Sequence, residues 1–152
     1  MDIKNYNQSY FEAIFEVVHH TIEAVYPNYY PRSAVDFFHQ HHSKENMAKQ
    51  LPDEFTLVLT KNDTIVGVGT LRENEMKRLF ILPEYQGKGY GKIILNELEK
   101  HLDKEKYDKV LLDASLGAVG FYIKNDYFYK NYKTIRLSDG CYVCYLEMAK
   151  EM

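Results

Sequence analysis

The sequence predicts a single α/β domain of the α+β kind, with helices flanking a mixed central sheet of about six or seven strands. Its 152 residues, 45% of them hydrophobic, suit one compact core. Segments with helical periodicity alternate along the chain with short β-rich runs, and no repeat or linker rich in Gly, Ser or Pro divides them. We therefore treat residues 1–152 as one domain.

Two helices are predicted in the first third of the chain, after a short initial strand. Apolar side chains recur at helical spacing over residues 8–25, and the stretch PNYYPRS ends that helix. Ser33 is the predicted N-cap of the second helix. The connection contains three tyrosines, Tyr26, Tyr29 and Tyr30. The sequence leaves open whether they line an acceptor pocket or close the core.

Three β-rich runs follow, FTLVLT, TIVGVGTL and EMKRLFIL. A hairpin turn at Asn62 and Asp63 joins the first two, and a tight turn near Glu73 precedes the third. These runs predict three consecutive antiparallel strands.

The second half of the chain begins with a predicted βαβ unit. It consists of strand 75–82, a helix over 90–103 and a buried strand over 107–114. A short helix near 116–124 follows, and two final strands surround a turn at residues 138–140.

The stretch PEYQGKGYGK, residues 83–92, places Gly87, Gly89 and Gly91 between a strand and a helix. A helix N-terminus presents unpaired backbone N–H groups and the positive end of the helix dipole, and glycines let an anion approach them. Taken alone, the loop fits either a structural turn or a phosphate-binding loop. It lacks the Walker ending and the G-x-G-x-x-G spacing, which disfavours a nucleotide triphosphate or dinucleotide site.

In its wider context, LFILPEYQGKGYGKIIL resembles the acyl-CoA-binding segment of the GNAT superfamily of N-acetyltransferases. Gln86, Gly89 and Gly91 fill the family's pattern of Gln or Arg, two residues, Gly, one residue, then Gly or Ala. A second block, LDASLGAVGFYIKNDY, is similar to the family's downstream block at Ser115, Ala118, Phe121, Tyr122 and Tyr127.

The resemblance covers residues 75–128 and departs from the family's pattern at one position. The family usually has Gly before the last aromatic residue, where this chain has Asp126, which predicts a differently shaped turn.

The resemblance implies an N-acetyltransferase that uses acetyl-CoA as cosubstrate. It places the pyrophosphate on the backbone of residues 87–92 and pairs the pantetheine arm with strand 79–81 as an extra strand. Lys88 and Lys92 either add charge there or are ordinary solvated lysines. The implied cofactor-binding residues are Leu79, Phe80, Ile81, Gln86, Gly87, Lys88, Gly89, Tyr90, Gly91, Lys92, Ser115 and Tyr122.

The resemblance also suggests two catalytic residues, since acetyl transfer to an amine needs a base and an acid. Tyr122 matches the family's proton donor to the thiolate, although in a chain with 14 Tyr it also fits a core position. Glu75 lies 11 residues before Gln86, where the histone-modifying members have their glutamate base, but it also fits a solvated residue beside a turn. The amine is expected to attack directly within a ternary complex. The alternative function is a non-catalytic acyl-CoA-binding sensor or interaction module.

Composition narrows the partners. The formal net charge is −3 and no basic cluster stands out, so nucleic acid is not expected. The chain contains neither a signal-peptide pattern nor about 20 consecutive apolar residues, which predicts a cytoplasmic protein without a membrane partner. The sequence does not identify the amine acceptor, which is a small molecule, a peptide or a protein. It also leaves open whether the protein is a monomer or a homodimer.

No metal is expected. Cys141 and Cys144 form a C-x-x-C pattern, but residues three apart on a strand point to opposite faces. His39, His41 and His42 have no Cys or acidic partner at ligand spacing and are predicted to lie at a helix end in solvent.

Overall fold

A computed structural model describes all residues, 1–152, as one seven-stranded sheet with five α-helices. The strands are β1 (Asp2–Asn5), β2 (Phe55–Lys61), β3 (Thr64–Arg72), β4 (Glu75–Ile81), β5 (Lys109–Ser115), β6 (Phe128–Arg136) and β7 (Tyr142–Glu151). The helices are α1 (Phe11–Val25), α2 (Arg32–His41), α3 (Lys44–Gln50), α4 (Tyr90–Lys100) and α5 (Val119–Lys124). Short 3-10 turns lie at Gln8–Tyr10, Tyr26–Asn28, Leu51–Asp53, Pro83–Tyr85 and Leu116–Ala118. The predicted fold class, with a mixed sheet of six or seven strands, is confirmed.

The strand order in the sheet is β1-β2-β3-β4-β5-β7-β6. Only β4 and β5 are parallel, and every other neighbouring pair is antiparallel. The final hairpin therefore places β7, the last strand in sequence, between β5 and β6.

Alternating side chains of β2 show how the two faces of the sheet are covered. Leu57 and Leu59 belong to a buried cluster with Ile94 and its neighbours on α4. Val58 belongs to a second cluster with Ile14 and other residues of α1. Since successive strand residues point to opposite faces, the helices sandwich the sheet, with α4 on one side and α1 to α3 on the other.

The parallel strands β4 and β5 pair only at their beginnings. Glu75 lies opposite Leu111 and Met76 opposite Leu112, and no pairing continues beyond them. From that point to Ile81, β4 therefore has an unpaired edge. The two strands form a fork that opens toward their carboxyl ends.

A β-bulge in β4 lies at the base of this fork. Leu71 of β3 pairs with Met76 and the preceding Thr70 pairs with Arg78, so that Lys77 has no partner. A bulge bends its strand and increases the local twist. The bulge therefore lies where the pairing of β4 with β5 ends.

The start of α2 differs from the prediction. The helix begins at Arg32, with Pro31 rather than Ser33 as its N-cap residue, so the Ser33 cap was wrong. Proline disfavours the helical conformation for the residue before it, which places the boundary at the proline.

The cysteine prediction also needs correcting, because Cys141 precedes β7 while Cys144 lies within it; both are free and partly exposed.

The connection between α1 and α2 is anchored by Tyr30. Its hydroxyl donates to the Cys144 carbonyl at 2.7 Å and accepts from the Leu116 N–H at 2.9 Å. These bonds tie the helical layer to β7 and to the end of β5, which makes Tyr30 a core-closing residue.

The turn before β6 contains Asp126 at a φ of 70°, in the left-handed region that glycine adopts most easily. Asp126 thus takes the conformation that glycine would favour.

No helix of the structure combines the length and apolar character that a bilayer crossing requires.

Candidate active site

A cavity of about 540 Å³ opens at the fork between β4 and β5. Nineteen of its 32 lining residues are hydrophobic. Its walls come from β4, β5 and β7, from α1, α2 and their connection, from α5 and from the glycine loop. A mostly apolar cleft with a few polar groups is typical of a small-molecule site.

Most of the residues predicted for the site line this cavity. They are Glu75, Leu79, Phe80, Ile81, Gln86, Gly87, Gly89, Tyr90, Gly91, Ser115 and Tyr122. Lys88 and Lys92 do not line it, and the Lys88 ammonium lies 5.7 Å from the centre of the Tyr85 ring. The Tyr26 to Tyr30 connection does reach the cavity, through all three of its tyrosines.

The glycine loop presents a row of free backbone donors. Gly87 and Gly89 have φ angles of +73° and +85°, and Gly89 is the N-cap residue of α4. None of the six N–H groups of residues 87–92 donates to a protein acceptor, and the first such bond runs from Ile93 to the Gly89 carbonyl at 3.2 Å. The first turn of α4 contains no acidic residue. The loop is therefore built to receive an anion.

Gly91 has a different role from the other two glycines. A Cβ atom there would lie 3.2 Å from the Phe121 ring, whereas one on Gly87 or Gly89 would meet nothing within 4 Å. Gly91 thus allows α5 to pack closely on α4. The sequence pattern alone could not show which glycine is needed for helix packing and which for access of an anion.

Gln86 anchors the loop to the end of β4. Its Nε2 donates to the Ile81 carbonyl at 2.9 Å. The Thr21 hydroxyl, which donates to the Val17 carbonyl at 2.7 Å, lies 3.3 Å from the same Ile81 oxygen. The Gln86 side chain therefore holds the backbone of the loop against the end of β4.

Lys61, at the end of β2, is a cation that the sequence reasoning missed. Its Nζ lies 3.4 Å from the Tyr90 hydroxyl and 5.7 Å from the centre of the Tyr85 ring. It therefore adds positive charge beside the loop. A lysine at a strand end carries no motif, and only the fold brings it to the glycines.

Tyr122 lies on α5 at the cavity wall. Its ring packs edge-on against Phe121 and Tyr127, with centroids 5.1 and 5.5 Å away, and 7% of the residue is exposed. Its hydroxyl makes no hydrogen bond within 3.5 Å to another side chain or to the backbone, in contrast to that of Tyr127, which donates to Glu99 at 2.9 Å. Burial, with a smaller effect of Tyr26, raises the pKa of Tyr122 above its usual value, so the phenol keeps its proton at neutral pH.

Glu75 lies at the base of the fork. Its carboxylate forms an ion pair with the bulge residue Lys77 at 2.8 Å, and both side chains are partly exposed. Glu75 thus reaches the cavity with a cation already beside it.

Asp113 on β5 is a second carboxylate that lines the cavity, and the sequence reasoning did not select it. The residue is exposed to solvent, but partial desolvation raises its pKa, Lys133 opposes this, and Glu75 adds to it. The one sequence feature that could have indicated Asp113 is its position as an acidic residue in the otherwise apolar run VLLDA.

The histidine segment departs from the prediction of a solvated helix end. His42 is buried, and its ring meets Phe80 edge-on at 5.4 Å. Burial and, next, the charge of Arg78 hold the pKa of His42 well below its ordinary value. The prediction was wrong because α2 ends against the sheet, where His42 completes the core.

His39 has an acidic partner after all. Its Nε2 lies 2.8 Å from the Glu23 carboxylate, and its Nδ1 lies 2.7 Å from Nδ1 of His19. His19 in turn donates from Nε2 to the His42 carbonyl at 2.6 Å. Both partners come from α1, so residue spacing within α2 could not reveal them.

The sequence model of the acetyltransferase (GNAT) domain matches residues 25–151 of the chain. The chain belongs to the GNAT acetyltransferase family. It is therefore an acyltransferase, and coenzyme A binding is a property of its family. No curated protein matches the sequence by direct comparison.

Solved structures share the GNAT fold over the whole chain. A GCN5-related N-acetyltransferase from Rhodopseudomonas palustris is 21% identical with a TM-score of 0.90, covering 99% of this chain and 95% of its own. The PaiA N-acetyltransferase from Thermoplasma acidophilum, solved with coenzyme A, is 23% identical with a TM-score of 0.72 and full coverage of both chains. The ribosomal-protein-S18-alanine N-acetyltransferase from Escherichia coli is 16% identical with a TM-score of 0.73, covering 99% and 92%.

Proposed function

We propose that this GNAT protein transfers an acetyl group from acetyl-CoA to a primary amine by direct attack in a ternary complex. The observation that carries the proposal is the set of six free N–H groups at residues 87–92, placed beside the open fork of β4 and β5.

The residues present fit a long ligand with phosphates at one end and amides in the middle. The free N–H groups and the positive end of the α4 dipole suit the pyrophosphate, with Lys61 and Lys88 close by. The unpaired edge of β4, which includes Leu79 and Phe80, suits the amides of pantetheine because free strand edges bind extended ligands.

Bound acetyl-CoA would supply a thioester whose acyl carbon bonds to the amine nitrogen as the bond to sulfur breaks. We assign Tyr122 as the donor of a hydrogen bond or proton to the departing thiolate, since its hydroxyl has no protein partner and stays protonated. We assign Glu75 as the acceptor of the amine proton, directly or through water, once an incoming ammonium loosens its pair with Lys77.

The acceptor is an amine of a small molecule, a peptide or a protein. Two solved structures with this fold are enzymes for such amines: the ribosomal-protein-S18-alanine N-acetyltransferase, and an aminoglycoside 6′-N-acetyltransferase that is 16% identical with a TM-score of 0.66.

The proposal is tested with two matched glycine variants. Gly89 and Gly140 have nearly equal φ angles, +85° and +86°, and open space where a Cβ would lie, but only Gly89 is at the cavity. Each Ala variant therefore loses a similar stability, on the order of 1 kcal/mol. Gly89→Ala is expected to weaken acetyl-CoA binding at least about tenfold by calorimetry, while Gly140→Ala binds like the wild type.

Catalysis is measured as thiol release from acetyl-CoA with a panel of primary amines. Acetyl-CoA should raise the melting temperature of the wild type, because a ligand that binds the folded state stabilises it. Absence of that stabilisation would exclude the proposed site. Binding without amine-dependent thiol release would instead indicate a non-catalytic acyl-CoA-binding module.

A further inference from the structure

We propose that Asp113 binds the ammonium group of the acceptor and thereby selects a primary amine that carries one positive charge on an apolar body. This inference rests on the proposed function and defines the substrate class of the same site.

The charges of the cavity single out Asp113. Among the lining residues, four carry Asp, Glu, Lys or Arg side chains: Glu75, Lys77, Arg78 and Asp113. Glu75 pairs with Lys77 at 2.8 Å, and Arg78 pairs with the buried Glu54 at 2.5 Å. Asp113 has no cationic side chain within 4.0 Å. Asp113 is therefore the one lining carboxylate without an ion-pair partner.

The residue that would compete for Asp113 is engaged elsewhere. Lys133 bonds to Glu147, the cross-strand neighbour of Asp113, at 2.8 Å. Glu147 does not line the cavity, so this pair lies outside it. Asp113 is thus left free to pair with a cation that enters the cavity.

Asp113 also lies on the same face of the sheet as Glu75, while Tyr122 reaches the cavity from the α4 side of the fork. Asp113 precedes Ser115 by two residues on β5, a distance of about 7 Å along the strand. Ser115 adjoins Tyr26, which in turn lies close enough to Tyr122 to influence its pKa. Leu111, two residues before Asp113 on the same face, pairs with Glu75. An ammonium on Asp113 would therefore lie between Glu75 and the Tyr122 end of the cavity.

Apart from His41, much of this wall is apolar and aromatic. Tyr29, Phe37, Ile135 and Tyr145 line the cavity from the connection, α2, β6 and β7. A single carboxylate compensates one ammonium, and further charges of a polyamine would have to be desolvated without a partner. The site therefore favours a monocation with an aromatic or aliphatic body.

The test uses two amines of similar apolar size with saturating acetyl-CoA at pH 7. One is 2-phenylethylamine, which is cationic at this pH, and the other is 4-ethylaniline, which is neutral. Asp113→Asn is expected to raise the KM for 2-phenylethylamine about tenfold or more, the value of a charge-assisted hydrogen bond, and to leave the KM for 4-ethylaniline within about twofold. Glu151→Gln, an equal charge change at an exposed site on β7, serves as the control.

The outcomes separate the inference from the proposed function. Equal changes in KM for the two amines, or no change for the cationic one, overturn the role of Asp113. A lower KM for spermidine than for 2-phenylethylamine overturns the monocation class. If the wild type binds acetyl-CoA but neither amine releases thiol, the proposed transferase function itself fails for this class. Asp113→Asn must keep the acetyl-CoA affinity and melting temperature of the wild type, since it lies outside the glycine loop.

Discussion

At the scale of single residues, Tyr122 is the position where a catalytic role can best be tested without disturbing the fold. Its hydroxyl bonds to no protein atom, so replacing it with Phe removes no internal hydrogen bond. We expect Tyr122→Phe to lower kcat roughly a hundredfold, the usual contribution of a general acid, to lower the acetyl-CoA affinity much less, and to leave the melting temperature unchanged. Steady-state kinetics and calorimetry on the same preparation measure both.

Tyr127→Phe is the matched comparison, because Tyr127 is equally aromatic and buried but its hydroxyl donates to Glu99. That variant should lose stability rather than turnover. Equal kcat values for Tyr122→Phe and the wild type would remove the acid role.

Single residues also show where the sequence stops being informative. The spacing of Gln86, Gly89 and Gly91 predicted the loop and its place before a helix. It could not predict that Gly91 accommodates Phe121, or that Asp113 and Lys61 reach the cavity. These facts depend on contacts between strands and helices that are distant in sequence, which no local pattern records.

At the scale of elements, α1 and α2 are linked through histidines whose charge state depends on pH. His42 is buried against Phe80, and burial followed by Arg78 lowers its pKa. The pKa of His19 is lowered chiefly by burial, and that of the more exposed His41 by partial desolvation and then by Arg78. A lowered pKa in the folded state means that the unfolded chain takes up protons first as the pH falls.

The free energy of unfolding should therefore be independent of His42 above its ordinary pKa of 6.5, and should fall as the pH drops from there to the folded-state pKa. The slope from this residue is at most about 1.4 kcal/mol per pH unit. His42→Phe keeps an aromatic ring against Phe80 and is expected to flatten the dependence. The remaining slope belongs to His19, His41 and the carboxylates.

Urea denaturation from pH 8 to pH 5 measures this dependence. At pH 8 His42 is neutral in both states, so the difference between variant and wild type there reports packing alone. A variant whose slope below pH 6.5 equals that of the wild type would show that His42 does not contribute to it.

The helical periodicity and turn residues predicted the seven strands and four of the five helices, because these signals are local, but α3 was not predicted as a separate helix. The strand over 107–114 is found at Lys109–Ser115, and the helix over 90–103 ends at Lys100. A free edge at residues 79–81 was implied only by the family resemblance, and the bulge at Lys77 was not predicted. A bulge is set by the register between two strands, and one strand alone does not specify it.

At the scale of the whole molecule, the chain has the GNAT architecture, its cytoplasmic location stays a prediction, and its oligomeric state stays open. A buried ion pair connects three parts of this architecture. Arg78 on β4 pairs with Glu54, just before β2, and also donates to Gln50 at the end of α3. The side chains of Arg78 and Glu54 are only 2% and 1% exposed. Because both side chains are almost fully buried, solvent cannot take the place of either partner.

Removing one partner should therefore destabilise the protein more than removing both. Glu54→Leu leaves the Arg78 guanidinium buried without its counter-charge, and breaking such a pair costs about 3 to 5 kcal/mol of unfolding free energy. The double variant Glu54→Leu, Arg78→Met replaces the pair with apolar side chains and is expected to recover most of that loss. Urea denaturation of the two single variants and the double variant measures the coupling. Additive losses would mean that the charges act independently and that the fold does not depend on their pairing.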